Sequence, residues 1–263
     1  MAQLMARKRV RSVLAGCMAV MGLFAVNAVA AQADAPSWLV GGTGTFLGTG
    51  VAEPVTATNK VGVSPRLKIP AVGAEILCKK SSAAGKIVGN AAANGVGTNK
   101  EVVVTYEECE VVGFPLCRVG SNPPAPPATG KIVTNSLKSE LVWLAAAGNE
   151  VGDLLQPEAG ANFVSLWFEG TCPLPVNVKV NVTGAVIGKI VPNAGAAEQV
   201  NGELIFPEPA ITNYWAGGAA RVARTLGVAP APNPLKVGAN AATYVDEQTV
   251  MLNSGAKWGT KGH

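Results

Sequence analysis

Residues Val176–Thr183 read VNVKVNVT. Val176, Val178, Val180 and Val182 fall on one face of an extended chain, and Asn177, Lys179, Asn181 and Thr183 on the other. Side chains of a strand point alternately to its two sides, so this period of two predicts a strand with one buried and one wetted face. Val102, Val104 and Tyr106 alternate in the same way. RLKIPAVGAEILCKK, from Arg66 to Lys80, predicts two strands broken near Pro70–Gly73. Glycine (31) and proline (18) recur throughout, and only 14% of residues are charged, against about a quarter in an ordinary soluble domain. The pattern predicts an all-β fold, an antiparallel sandwich or barrel-like domain of short strands and tight turns. Leu137–Leu155 is ambiguous. Leu137, Leu141 and Leu144 suit a helix, while a hairpin turning near Ala147–Glu150 competes.

The chain begins with a different signal. Arg7, Lys8, Arg9 and Arg11 precede an uncharged run, Ser12–Ala33, with an apolar centre at Val13–Val26. Small residues at Ala28 and Ala30 suit cleavage after Ala30, with Ala33 and Ala35 as alternatives. A positive start, an apolar middle and a small-residue exit make a secretory signal peptide over residues 1–30. LAGC, Leu14–Cys17, spells a rival lipidation signal, but only Ser12–Gly16 separate Arg11 from Cys17, too short an apolar stretch for export. An uncleaved anchor is the third alternative, the run being near membrane-spanning length. The whole chain holds 21 basic and 17 acidic residues, and residues 1–30 hold four basic and no acidic ones, so residues 31–263 carry 17 of each. A neutral chain without clustered Lys and Arg gives no expectation of nucleic-acid binding. The short RVAR run, Arg221–Arg224, reads as a solvated face.

Removal of Cys17 leaves Cys78, Cys109, Cys117 and Cys172, an even set that predicts two disulfides in an oxidising compartment. Cys109–Cys117 is the favoured pair, because the intervening EVVGFPL holds Gly113 and Pro115 and can turn back on itself. Cys78–Cys172 is then the long staple. That staple would cross the proline-rich connection SNPPAPPATG (121–130), so residues 31–263 read as one domain, with 121–130 the best place for a subdivision. Zinc is not expected, since no C-x₂-C pair occurs and the sole histidine, His263, ends the chain in what reads as a loose tail. The phrases GKIVGN, GKIVTN and GKIVPN, at Gly85, Gly130 and Gly188, lack the spacing of a nucleotide loop and read as recurring strand-and-turn chemistry.

Several stretches, in order between Leu67 and Gly259, resemble a family of uncharacterised exported proteins of high-GC Gram-positive soil bacteria of the Solirubrobacter type. They are EILCKKSSAAGKI, VTYEECEVVGFPLC, GKIVTNSLKSELVWL with EVGDLLQPEAG, VTGAVIGKIVP and SGAKWG. The resemblance implies a strand-like hairpin for Leu137–Leu155 and supplies no catalytic residue. The tryptophans and the proline-rich connection depart from the family's pattern.

The functional expectation is a secreted or cell-surface protein without catalysis, structural, adhesive or binding. Its partner would be an envelope polymer, a glycan or a second copy, with membrane contact only during export and no cofactor, nucleotide or metal. Trp143, Trp167, Tyr214 and Trp215 are candidate stacking faces for such a ligand. The alternative is a secreted carbohydrate-active hydrolase using paired carboxylates, which needs no histidine. Asp153, Glu158 and Glu169 are its candidates. The acidic groups Glu107–Glu108–Glu110 and Asp246–Glu247 lack the spacing of a calcium loop and read as charges at strand ends.

Overall fold

The computed structural model describes residues 34–121, 129–217 and 221–263. The export signal, its cleavage position at Ala30, Cys17 and residues 122–128 of the proline-rich connection lie outside the described residues. The strands, in chain order, are β1 (Pro36–Val40), β2 (Ala52–Asn59), β3 (Arg66–Ile69), β4 (Ala74–Val88), β5 (Thr98–Val111), β6 (Cys117–Ser121), β7 (Ile132–Val133), β8 (Leu137–Trp143), β9 (Val151–Pro157), β10 (Asn162–Gly170), β11 (Lys179–Thr183), β12 (Val186–Val191), β13 (Gly202–Phe206), β14 (Asn213–Ala216), β15 (Val222–Thr225), β16 (Lys236–Val237), β17 (Asn240–Ala241), β18 (Thr243–Leu252) and β19 (Trp258–Gly262). Between β3 and β4 the chain makes a single 3-10 turn, Pro70–Val72, where Pro70 and a left-handed Gly73 break the strand as the sequence predicts.

Eight of these strands form an antiparallel barrel. β2, β4, β5, β8, β9, β12, β13 and β18 each pair with the next, and β18 pairs back to β2. Closure satisfies both edges of every strand, which an open sheet cannot do. The decisive pairing joins β5 to β8, with Asn99 opposite Ser139 and a bulge between Asn99 and Val102. It links strands on opposite sides of the 121–130 connection.

The ambiguous Leu137–Leu155 segment is the β8–β9 hairpin, running from Leu137 opposite Pro157 to Trp143 opposite Val151. Leu137 and Leu141 stand four residues apart, a spacing that keeps one face in either a helix or a strand. Gly148, at φ +72°, supplies the left-handed turn residue that favours the hairpin.

The remaining strands lie in connections between barrel strands, except β1, which precedes β2, and β19, which follows β18. β6, β10, β11, β16 and β17 form a five-stranded sheet, and β1 pairs with β19. The sheet packs Val119, Leu166, Phe168, Val180 and Val182 against Ile69 of β3 and against Ile76 and Val111 of the ribbon that β4 and β5 extend past the barrel. This core continues into the barrel through Val104, Leu137 and Leu155. At the other end Trp38 of β1, Trp143 and Trp258 bury their rings together, with Trp38 and Trp258 edge to face at 5.8 Å. β11 begins three residues later than the valine alternation predicts. Asn177 takes a left-handed φ of +59°, which asparagine tolerates, and leaves Val178 exposed while Val180 and Val182 are buried.

The disulfides are Cys78–Cys109 and Cys117–Cys172, so all four cysteines pair but not in the favoured connectivity. Cys78 and Cys109 stand opposite each other on β4 and β5. Cys109 and Cys117 are kept apart because Gly130 lies between their strands. The Cys109 N–H donates to Gly130 O (2.8 Å), and the Gly130 N–H donates to Val119 O (2.9 Å). With Gly130 between the strands, the EVVGFPL segment does not turn Cys109 onto Cys117. Cys117 faces Gly170 on β10, which brings Cys172 into reach.

Candidate functional site

An eight-stranded barrel encloses a space that side chains just fill or that admits one small ligand. Here inward-facing residues of the middle layer are small. Ala57, Ala83 and Gly85 line the lumen, and Gly188 stands on β12 beneath the lining residue Leu204. A Cβ at Gly85 would lie 2.8 Å from Val102 Cγ2, and one at Gly188 would lie 2.6 Å from Leu204 Cδ1. These glycines let the Val102 and Leu204 side chains of the adjoining strands lie against the inner wall, and the space beyond them remains open. It is a cavity of about 150 Å³, bounded chiefly by apolar groups including Val55, Leu204 and Val250.

Besides Thr56, Thr134 and Arg66, two buried polar groups interrupt the apolar lining. The first comprises Asn99 of β5, Ser139 of β8 and Asp153 of β9, exposed by only 8%, 4% and 2%. Asn99 Nδ2 donates to Asp153 Oδ2 at 2.9 Å. Among the described residues Asp153 Oδ1, Asn99 Oδ1 and Ser139 Oγ have no hydrogen-bond partner. Burial raises the Asp153 carboxyl from its ordinary 3.8 to about 7, with Ser139 and Asn99 nearby pulling the other way.

The second group is fully engaged. Tyr106 Oη and Tyr244 Oη lie 2.9 Å apart, and the Tyr244 hydroxyl donates to Asp246 Oδ2 at 2.7 Å. Gln248 Nε2 and Ser81 Oγ donate to the same oxygen at 2.8 and 3.3 Å, and the Glu247 N–H donates to Oδ1 at 2.9 Å. Burial raises the Asp246 carboxyl and these hydrogen bonds oppose it. Both phenols are also raised, first by burial. Tyr106 and Tyr244 are surrounded by protein yet only half-buried, because part of their surface faces the cavity. Asp246 has its acceptors spent, whereas Asp153 does not.

Comparison of the chain with family models, curated proteins and solved structures finds no match.

Most residues singled out from sequence lie elsewhere. Of the three candidate carboxylates only Asp153 reaches the cavity. Glu158 is exposed just beyond β9, accepting a hydrogen bond from Ser136 Oγ, and Glu169 on β10 accepts one from Trp167 Nε1 at 3.2 Å. The stacking candidates do not share a face. Trp143 is wholly buried at the barrel end, and Tyr214 is wholly buried outside the barrel wall against Val142 and Leu154. Trp215 packs half-buried on the tryptophan cluster, and Trp167 is half-buried on the five-stranded sheet. Asp246 and Glu247 are not strand-end charges. They sit within β18 on opposite faces, Asp246 inside the barrel and Glu247 outside, 3.3 Å from Lys60. Glu108 forms exposed ion pairs with Lys79 and Lys80, whose hydrogen bonds hold its carboxyl below the usual range, Lys80 first. Among the described residues no group of His, Cys, Asp and Glu suits a metal ion. His263 is not a loose end, since its ring stacks on Phe46 at 3.9 Å. Arg221 of the RVAR run likewise turns inward and binds the Asp34 carboxylate.

Sequence reasoning passed over Asn99 and Ser139. The signal was present in the period of two. Leu137, Ser139, Leu141 and Trp143 form one face of β8, and Val151, Asp153 and Leu155 one face of β9. A polar residue inside each apolar face marks a buried polar site.

Proposed function

We propose that this is an exported, non-catalytic binding protein that holds one small apolar molecule inside its barrel. The cavity carries the reading. A void of about 150 Å³ forgoes packing worth about 24 cal/mol per Å³, or about 4 kcal/mol, a large share of the roughly 5–15 kcal/mol by which domains are stable. An engineered apolar cavity of about this volume takes up benzene. Occupancy by a ligand returns the lost contacts.

The two disulfides fit an oxidising compartment, and no described helix is long and apolar enough to cross a membrane. With the amino-terminal signal pattern, the disulfides support a secreted or cell-surface location. Cleavage after Ala30 would retain Asp34, whose carboxylate holds Arg221 and whose carbonyl accepts from Trp143 Nε1 at 3.1 Å. An exported chain beginning at Ala31 is the expected product, checked by amino-terminal sequencing.

Binding is tested by calorimetry with toluene, cyclohexane and indole on the purified, oxidised protein. Saturable binding of at least one, lost in Ala57→Leu or Ala83→Leu with the fold retained, is the expected result. Binding by none of the three would overturn the reading.

A further inference from the structure

We infer that the ligand is a small, single-ring-sized apolar molecule carrying one hydrogen-bond donor, which the Asn99–Ser139–Asp153 group receives. The inference rests on the binding reading and adds the chemistry of the recognised end.

Asn99 and Asp153 line the cavity directly, and Ser139 stands opposite Asn99 on the adjoining strand. Three of their polar atoms have no partner among the described residues: a carboxylate oxygen, an amide oxygen and a hydroxyl. The Asn99 amide nitrogen is already donating to the other carboxylate oxygen. Two unpartnered pure acceptors therefore face one hydroxyl, which carries a single proton. The group is short of donors when Asp153 is ionised. A buried polar atom without a partner is costly, so a donor that enters with the ligand removes a penalty as well as forming a bond. Apart from Thr56, Thr134 and Arg66 the rest of the lining is apolar, and the second polar group has directed its donors onto Asp246. One end of the ligand is thus specified as polar and the remainder as hydrocarbon.

Toluene and phenol test this, because they differ by a methyl against a hydroxyl on the same ring. A purely apolar cavity leaves the phenol hydroxyl unpaired and binds toluene more tightly, by about tenfold or more. The expected result at pH 8 is that the wild-type protein binds phenol at least as tightly as toluene. Asp153→Leu shifts the preference toward toluene by at least about tenfold. Asp153→Asn, which keeps an acceptor, retains part of the phenol preference. If Asp153→Leu does not fold, the wild-type Asn99 side-chain amide resonances decide, and phenol should shift them more than toluene does. Toluene preferred about tenfold by the wild-type protein, or equal effects of the two rings on Asn99, would overturn the inference while leaving the binding reading standing. Binding of neither ring would overturn the inference, and would overturn the binding reading as well if cyclohexane and indole also fail to bind.

Discussion

Asp153→Asn isolates the most consequential charge in the barrel. The native carboxyl holds its proton to about pH 7, while an unfolded aspartate releases it near the ordinary 3.8. Between these values the native state carries a proton that the unfolded state lacks, so stability falls as pH rises. The contribution is fully present below 3.8 and lost by the time the pH has passed 7. At about 1.4 kcal/mol for each pH unit, the span amounts to about 4 kcal/mol. An amide at this position cannot ionise, yet its oxygen can still accept the Asn99 Nδ2 bond. The variant should match the wild type within about 1 kcal/mol at pH 4 and exceed its stability by about 4 kcal/mol at pH 8. Urea unfolding at intervals across that range, with the slope of each transition compared, measures the difference. Asp246 is also raised by burial, but it is present in both proteins and cancels in the comparison. A difference between variant and wild type that stays constant from pH 4 to pH 8 would refute the reasoning, because it would mean that Asp153 does not change its ionisation on folding.

Non-reducing peptide mapping should recover Cys78 linked to Cys109 and Cys117 linked to Cys172. With loops of 31 and 55 residues, removing each bridge as a pair of Cys→Ala substitutions should cost about 3.7 and about 4.2 kcal/mol by loop closure in thermal or urea unfolding. Gly202→Ala places a Cβ 2.3 Å from Trp258 Cζ2, a rigid ring within the tryptophan cluster. It should destabilise by about 1–3 kcal/mol and alter the near-ultraviolet dichroism of the tryptophans. Arg221→Ala removes the bonds to Asp34 and the guanidinium held 4.8 Å above the Trp143 ring. A loss of about 1.5–3 kcal/mol is expected, read as a lowered urea midpoint with an unchanged slope.

The class of fold was legible because period two is a local property. Val180 and Val182 must share a face of their own strand whatever else the chain does, and Pro70 with Gly73 must break theirs. The two bridges were likewise expected from the four cysteines that remain once Cys17 is set aside with the amino-terminal signal. Partnership was not local. Cys109 is eight residues from Cys117 and thirty-one from Cys78, yet it bonds to the distant one, because Gly130 enters between β5 and β6 and the β4–β5 register brings Cys78 opposite. Leu137 and Leu141 fitted a helix as well as a strand, and the pairing of β8 with both β5 and β9 decided between them. The candidate site divides in the same way. Alternation assigns Ser139 to the apolar face of its strand and Asp153 to that of the next. Their meeting with Asn99, and the cavity beside them, depend on the closure of β5 against β8. That closure is a register between distant segments, set by satisfying the backbone edges of both strands and burying their apolar faces together, and no single stretch of sequence contains it.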